Sequence, residues 1–249
     1  MTSKQSKRAA RDELATGRRR EAAAAQRRRK VTNVVIAAAV VVVVLVIFVL
    51  VQNNRTSSNV TDAALPDLVA EQGGGMVFGD GPVTVDLWED FQCPVCKDFE
   101  AANSELLTQQ VDDGAITLVI HPLSFLDQNL SNTSSALAAS AFGCSAAAGQ
   151  PAAMGFHTLV YTNQPPENPG TEAWSTANLI GWGNDVGVSG TEWESCVTDS
   201  GYADWVDQVA KSQIDAGVHG TPTVFIDDQP FDIKGDLAAA ISAATDAAS

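Results

Sequence analysis

Phe91-Gln92-Cys93-Pro94-Val95-Cys96-Lys97 decides how the rest of this chain is read. Two cysteines stand three apart, with a proline directly after the first. An apolar run over residues 83–88 precedes them, and Phe99, Ala102 and Leu106 follow at helical spacing. The pair therefore falls at a strand-to-helix junction, with Cys93 at the helix start and Cys96 one turn in. Positions i and i+3 are neighbours on a helix, so the two sulfurs can close a small disulfide. The unpaired N–H groups at a helix start favour a thiolate on Cys93. A C-x-x-C between a strand and a helix is a redox arrangement. Zinc would want four ligands, usually from two such pairs, but Cys144 and Cys196 lie far apart and form no second C-x-x-C. An inert bridge within one helical turn would close almost no loop and add little stability.

Charge divides the chain. Residues 1–33 hold 11 of the 15 Lys/Arg and three of the 30 Asp/Glu, while the whole chain carries −15. The part beyond residue 33 is strongly acidic, which argues against nucleic acid, since phosphate binding needs a basic face. All four cysteines lie in that acidic part, as expected for a compartment where disulfides persist. Residues 34–51 are apolar without a break, long enough for a transmembrane helix. The arginines just before them place the N-terminus in the cytoplasm and the remainder outside. The run is longer than a signal-peptide core, and Gln52-Asn53-Asn54-Arg55 offers no small-x-small cleavage site, so an uncleaved anchor is expected. The expected organisation is a basic cytoplasmic tail (1–33), a membrane span (34–51), a linker (52–75) ending in Gly73-Gly74-Gly75, and a folded domain (76–249).

Within that domain, residues 76–78 and 83–88 read as strands, followed by the C-x-x-C helix to about Asp113-Gly114 and a strand over 116–120 ended by His121-Pro122. Residues of about 126–216 read as an all-helical block. In it, Thr191-x-x-Glu194 has the form of a capping box. Val224-Phe225-Ile226, a turn at Asp227-Asp228 and a return strand through Phe231 and Ile233 follow. Gly235-Asp236 then opens a last helix carrying Leu237, Ile241 and Ala244. The class is α/β, one mixed sheet with a helical insertion. His121, His157 and His219 are too scattered in sequence for a metal site, and none is expected.

Phe91-Gln92-Cys93-Pro94-Val95-Cys96 after a strand, a helical block, and then Gly220-Thr221-Pro222-Thr223-Val224-Phe225 together resemble the DsbA-like thiol–disulfide oxidoreductases of the thioredoxin superfamily, the membrane-anchored actinobacterial type in particular. The similarity runs from about residue 76 to the C-terminus. It implies a thioredoxin-like fold with no cofactor. Cys93 looks like the exposed attacking cysteine of a redox-active disulfide, and Cys96 like its buried partner. Pro222 matches the family's cis-proline, with Thr221 before it presenting backbone to a substrate strand. Cys144 and Cys196 would form a structural disulfide, two free thiols being the alternative. The implied partners are reduced or unfolded exported proteins, the membrane, and a quinone-linked reoxidase resembling DsbB or the vitamin K epoxide reductase type. A reductase or isomerase on the same scaffold, or a non-catalytic chain-binding module, are the rival readings.

The sequence departs from that pattern in two places. Val95 stands where the enterobacterial enzyme has histidine between its cysteines, so one source of thiolate stabilisation is missing. Many relatives carry a buried acid six residues before the first cysteine. Leu87 occupies that position here, with Asp86 one step off and facing the other way. Asp86 is therefore the candidate proton relay, alongside water.

Overall fold

Val83, Val85 and Leu87 alternate with Thr84 and Asp86, and the odd-numbered set is buried, so this stretch forms a strand with one core face. The computed structural model describes residues 64–248. The basic tail and the apolar run 34–51 lie outside them. Strand β2 (Val83–Asp90) is the middle of a five-stranded sheet with β1 (Met76–Phe78), β3 (Ile116–Leu123), β4 (Thr223–Ile226) and β5 (Gln229–Phe231), in the order β1-β3-β2-β4-β5. β2 and β3 run parallel, Val83 opposite Ile116 through Asp90 opposite Leu123, and every other pairing is antiparallel. This is the mixed thioredoxin-like sheet.

Both central strands outrun their expected ends. β3 continues through His121 and Pro122. The missing N–H of Pro122 is tolerated there because the neighbouring β1 pairs only as far as Ile120. β2 continues through Glu89 and Asp90, and from Leu87 onward no residue of the strand is open to solvent. β5 stops at Phe231, short of Ile233. Its edge position suits Pro230, and the two-residue turn before it holds Asp227 and Asp228 at φ 47° and 63°.

Helix α1 (Pro94–Asp112) follows β2 directly, with Cys93 as N-cap and Pro94 at its first turn. Its buried stripe is Cys96, Phe99, Glu100 and Leu107 rather than the Phe99–Ala102–Leu106 line expected from apolar spacing, because a glutamate belongs to the inward face. The helical block comprises α2 (Leu126–Leu130), α3 (Ser134–Ser145) with a 3-10 turn after it, α4 (Gln150–Thr162), α5 (Thr176–Asp185), α6 (Thr191–Thr198) and α7 (Ala203–Asp215). Helix α3 is buried on nearly every side, which its small residues permit. Phe142 from it packs against Phe78 and Phe91, joining the block to the sheet. Helix α8 (Leu237–Ala248) buries Leu237 and Ile241, and the Asp236 carboxylate accepts from the Ala239 N–H at its start.

Two local expectations are corrected. The capping box forms at Ser175 and Asn178, which exchange side-chain and backbone hydrogen bonds. At α6 the N-cap is Gly190, and Thr191 is already helical. The segment taken as linker is folded onto the domain from about residue 65. Val69 is buried, Trp205 donates to the Gly74 carbonyl, and Ser212 to that of Gly73. Gly75 is there for close approach, since a Cβ would meet the Ile120 carbonyl oxygen at 2.6 Å.

Candidate active site

Cys93 is placed by two backbone hydrogen bonds and its own dihedral angles. Its N–H donates to the Asp90 carbonyl at 2.8 Å, its carbonyl accepts from the Lys97 N–H, and its φ and ψ of −74° and 119° turn the chain from strand into helix. The sulfur sits at the start of α1, with the Thr221 carbonyl oxygen 3.5 Å away. The Thr221–Pro222 peptide is cis. Thus β2, α1 and the loop before β4 bring Cys93, Cys96, Thr221 and Pro222 together. Pro94 and Val95 are exposed, while Cys93 keeps only 7% of its surface and Cys96 none. Cys93, expected to be exposed, is instead buried like its partner, because the helix start and the loop before β4 close over it. Both are reduced.

The two thiols are driven apart electrostatically. The Cys93 pKa is lowered to about 6, first by the hydrogen bond from the Cys96 thiol. Burial opposes this; Thr221 and the N–H groups of Cys96 and Val95 add to it. Cys96 is pushed far up, by burial first, then by holding its proton toward Cys93, then by the negative charge of Glu89. One sulfur is a thiolate at neutral pH and the other is a thiol.

Asp86 does not serve Cys96. Its carboxylate is paired with His121 Nε2 at 2.8 Å, and the His121 ring is stacked on Trp88. The acid beside Cys96 is Glu89, four residues before Cys93 at the fully buried end of β2. Its carboxylate meets Nε2 of His157 on α4, and His157 Nδ1 lies 3.8 Å from Glu100 of α1. His157 was set aside on sequence spacing, yet it lies at the centre of this cluster. Burial opposes its charge, but Glu89 and Glu100 outweigh that and raise its pKa to about 9. Burial raises Glu100 to about 8. Glu89, Glu100 and His157 place donor atoms within 4.8 Å of one another. With Nε2 already bonded to Glu89, they form a hydrogen-bonded charge cluster rather than a donor set for a metal.

Asp90 and Gln164 are further residues that sequence reasoning missed. Asp90 accepts from the Gln92 N–H, the Ser135 hydroxyl and the Leu126 N–H, tying the cysteine loop to the helical block; burial raises its pKa to about 7. Gln164, just past α4, donates to the carbonyls of Phe91 and Cys93 and fixes the same loop from the other side. It lines a groove of about 460 Å³ with Gln92, Pro165, Pro166 and Glu167. His219 is exposed. Cys144 of α3 and Cys196 of α6 are bonded to each other, Cα atoms 6.0 Å apart.

A family model described as thioredoxin matches residues 71–243. No curated protein matches the chain. Among solved structures, the oxidised DsbA of Mycobacterium tuberculosis is similar at 27% identity, covering 68% of this chain and 90% of that one, with a TM-score of 0.54. The reduced disulfide bond oxidoreductase DsbG of the same organism is similar at 25% identity over 73% and 90%, TM-score 0.55. The thiol–disulfide oxidoreductase MdbA of Actinomyces oris shares the fold at 20% identity over 71% and 86%, TM-score 0.59. With a strand-to-helix dithiol facing a cis-proline and a family model spanning most of its length, this chain belongs to the thioredoxin family and resembles its DsbA-type thiol–disulfide oxidoreductases.

Proposed function

We propose that the protein is an extracytoplasmic dithiol oxidase that introduces disulfides into exported proteins through Cys93 and Cys96. The observation that carries this is the Cys93 sulfur at the start of α1, favoured as a thiolate and set against the Thr221 carbonyl, with Cys96 buried behind it. Stabilising the Cys93 thiolate stabilises the reduced enzyme, which makes its disulfide the stronger oxidant.

In the oxidised enzyme a substrate thiolate attacks Cys93 Sγ. The Cys93–Cys96 bond breaks, and Cys96 leaves with the electron pair and takes up a proton. A second substrate thiolate then attacks the substrate sulfur of the mixed disulfide, and Cys93 leaves as a thiolate. The substrate has lost two electrons and gained an S–S bond, and the enzyme holds those electrons as a dithiol. Glu89, whose charge acts on Cys96, is the protein base assigned to that proton. An extended substrate segment would pair with the backbone at Thr221.

The location rests on sequence. The apolar run 34–51 behind its arginines reads as a single-pass anchor with the N-terminus cytoplasmic and the catalytic domain outside. Among the described residues no helix is long and apolar enough to cross a membrane. A quinone-linked membrane protein, DsbB-like or of the vitamin K epoxide reductase type, is the reoxidant this reading requires.

The test is oxidative refolding of a reduced, unfolded disulfide protein. Wild type should accelerate it and Cys93→Ser should not; equal rates would refute the role. The Cys93/Cys96 potential against a glutathione buffer separates the rivals. A value near about −120 mV selects the oxidase and one near about −270 mV a reductase.

A further inference from the structure

The groove beside Cys93 has no part in the exchange steps. It encloses about 460 Å³ and is lined by Gln92, Gln164, Pro165, Pro166, Glu167 and Glu172 among others. Gln92 precedes Cys93 in the chain and Gln164 donates to the Cys93 carbonyl, so the groove borders the residue that takes the substrate. Gln164 is only 6% exposed. Both hydrogens of its Nε2 are spent on the carbonyls of Phe91 and Cys93, which fixes the amide, since only its nitrogen can donate to two carbonyls. Its Oε1 accepts no hydrogen bond among the described residues. A buried residue with a free acceptor is costly unless something donates to it. Pro165 and Pro166 have no N–H to offer. Neighbouring donors turn elsewhere: the Gly170 N–H to the Leu130 carbonyl, Asn168 Nδ2 to the Thr171 hydroxyl, and the Ala173 N–H to the Ser134 hydroxyl. Glu172 is held in place by the Thr133 N–H and by the hydroxyls of Thr133 and Ser134. Glu167 is exposed and pairs with no cation among the described residues. The groove therefore offers acceptors and negative charge beside the reactive sulfur.

We infer that this groove is a substrate subsite for a cationic side chain, arginine or lysine, near the substrate cysteine, and that Glu167 and Gln164 give it that specificity. The inference rests on the exchange chemistry proposed above and names the class of chain that chemistry favours. A chain held on the Cys93 sulfur advances about 3.3 Å per residue, so a long side chain within a few residues of its cysteine reaches the groove. A guanidinium or ammonium group carries only donors, which matches walls that carry free acceptors. An acidic side chain would meet Glu167 and Glu172, and an apolar one would leave Gln164 Oε1 without a donor. The nearest cation of the chain itself does not fill the groove. Lys97 bonds the Gln164 carbonyl at 2.8 Å but lines the separate cleft beside Glu100. The wider field agrees with the subsite. Beyond residue 33 the chain holds four Lys/Arg against 27 Asp/Glu, which draws basic chains toward the domain before they dock.

The experiment measures oxidation of peptide dithiols by the oxidised protein, with one arginine stepped along either side of the first cysteine. Each peptide is compared with its citrulline twin, which keeps the shape and loses the charge. Rates are divided by those of uncatalysed oxidation with oxidised glutathione, so that the peptides' own reactivity cancels. At the best position wild type should prefer arginine about fivefold, the upper range for one ion pair open to solvent. The preference should shrink at about 1 M salt, where charges are screened within about 3 Å. Glu167→Gln should cut it to about twofold or less. Glu105→Gln removes the same charge from an exposed position about 18 Å further along α1 and should keep the preference. Equal rates for the two peptides at every position in wild type would overturn the subsite. So would a preference lowered alike by Glu167→Gln and Glu105→Gln, which would assign it to the general acidity of the domain. A wild-type protein that oxidises neither peptide would overturn the exchange chemistry itself.

Discussion

The Cys144–Cys196 bridge and the Cys93/Cys96 pair lie in one domain and could not be treated more differently by it. The bridge joins α3 to α6 across a separation of 52 residues, and Gly201 passes so close that a Cβ there would stand 2.9 Å from the Cys196 sulfur. It closes a long loop and is wrapped. Cys93 and Cys96 are three apart and close almost nothing, but every neighbour acts on their protons: Thr221, the α1 N–H groups, Glu89. The comparison teaches that surroundings decide whether a sulfur pair is kept or traded. A long closed loop makes a bridge worth keeping, whereas two thiols with widely split pKa values make a bond that is easily exchanged.

The sharpest way to break the comparison is to remove one sulfur from each pair. Cys93→Ser should lower thiol–disulfide exchange at least about 1000-fold, since the nucleophile is gone, and should leave the melting temperature near wild type. Cys144→Ala with Cys196→Ala should do the opposite. Exchange should persist while stability falls by about 4 kcal/mol on the chain-entropy model, or roughly 8–16 °C in a domain of this size. Glutathione exchange kinetics and thermal melts check both. A bridge-less variant that melts like wild type would show that the loop is held by packing alone.

A second measurement isolates the poise of Cys93. Thiolate absorbance should be half-maximal at about pH 6, against 9.0 for an unperturbed thiol. The folded pKa is depressed, so the thiolate's contribution to stability is full above about pH 9 and is lost as pH falls through about 6. The reduced protein should therefore lose stability relative to the oxidised one over that window, and the bridge should be indifferent to it.

Much of this was legible in the sequence where the signal is local. The C-x-x-C at a strand-to-helix junction, the Asp227-Asp228 turn and the Asp236 cap all declare themselves within a few residues. What escaped was whatever depends on which charged side chains the fold buries. Glu89 and Asp90 lie past the expected strand 83–88, and it is β3 beside them and the helical block, through His157 and Ser135, that encloses them. His157 is far in sequence from both glutamates and meets them because α4 packs on α1. Glu100 could have been noticed, since i+4 from Cys96 puts it on the same face of the helix. Gly73-Gly74-Gly75 misled because composition does not distinguish a glycine chosen for freedom from one chosen for close contact.

The buried side of the exchange pair should also answer to pH in the opposite sense from Cys93. Glu100 and His157 both have folded pKa values raised, to about 8 and about 9. The folded state then binds more protons than the unfolded one. The His157 contribution is full below about 6.5 and lost as pH rises through about 9, while the folded chain's hold on the Glu100 proton is lost as pH rises from about 4.5 through about 8. Melting temperature should thus decline from pH 6 to pH 9 in wild type and decline less in Glu100→Gln. A steeper decline in the variant would mean that Glu100 is ionised in the folded protein.

The smallest expected effect comes from the position between the two cysteines. Val95 is 49% exposed and its side chain brings neither charge nor a hydrogen bond to the sulfur. Val95→His adds a group that is cationic below its ordinary pKa of about 6.5, close to the thiolate but open to water, so its field is partly screened. The Cys93 midpoint should fall by about one pH unit. The couple should become more oxidising by up to about 30 mV, the potential equivalent of 1.4 kcal/mol for two electrons. Both changes should fade above pH 7, where the imidazole is neutral, and the melting temperature of the oxidised protein should not move. A shift that survives at high pH would assign the effect to a hydrogen bond from the ring instead of its charge. Either outcome separates what the α1 backbone does for Cys93 unaided from what a side chain at position 95 can add.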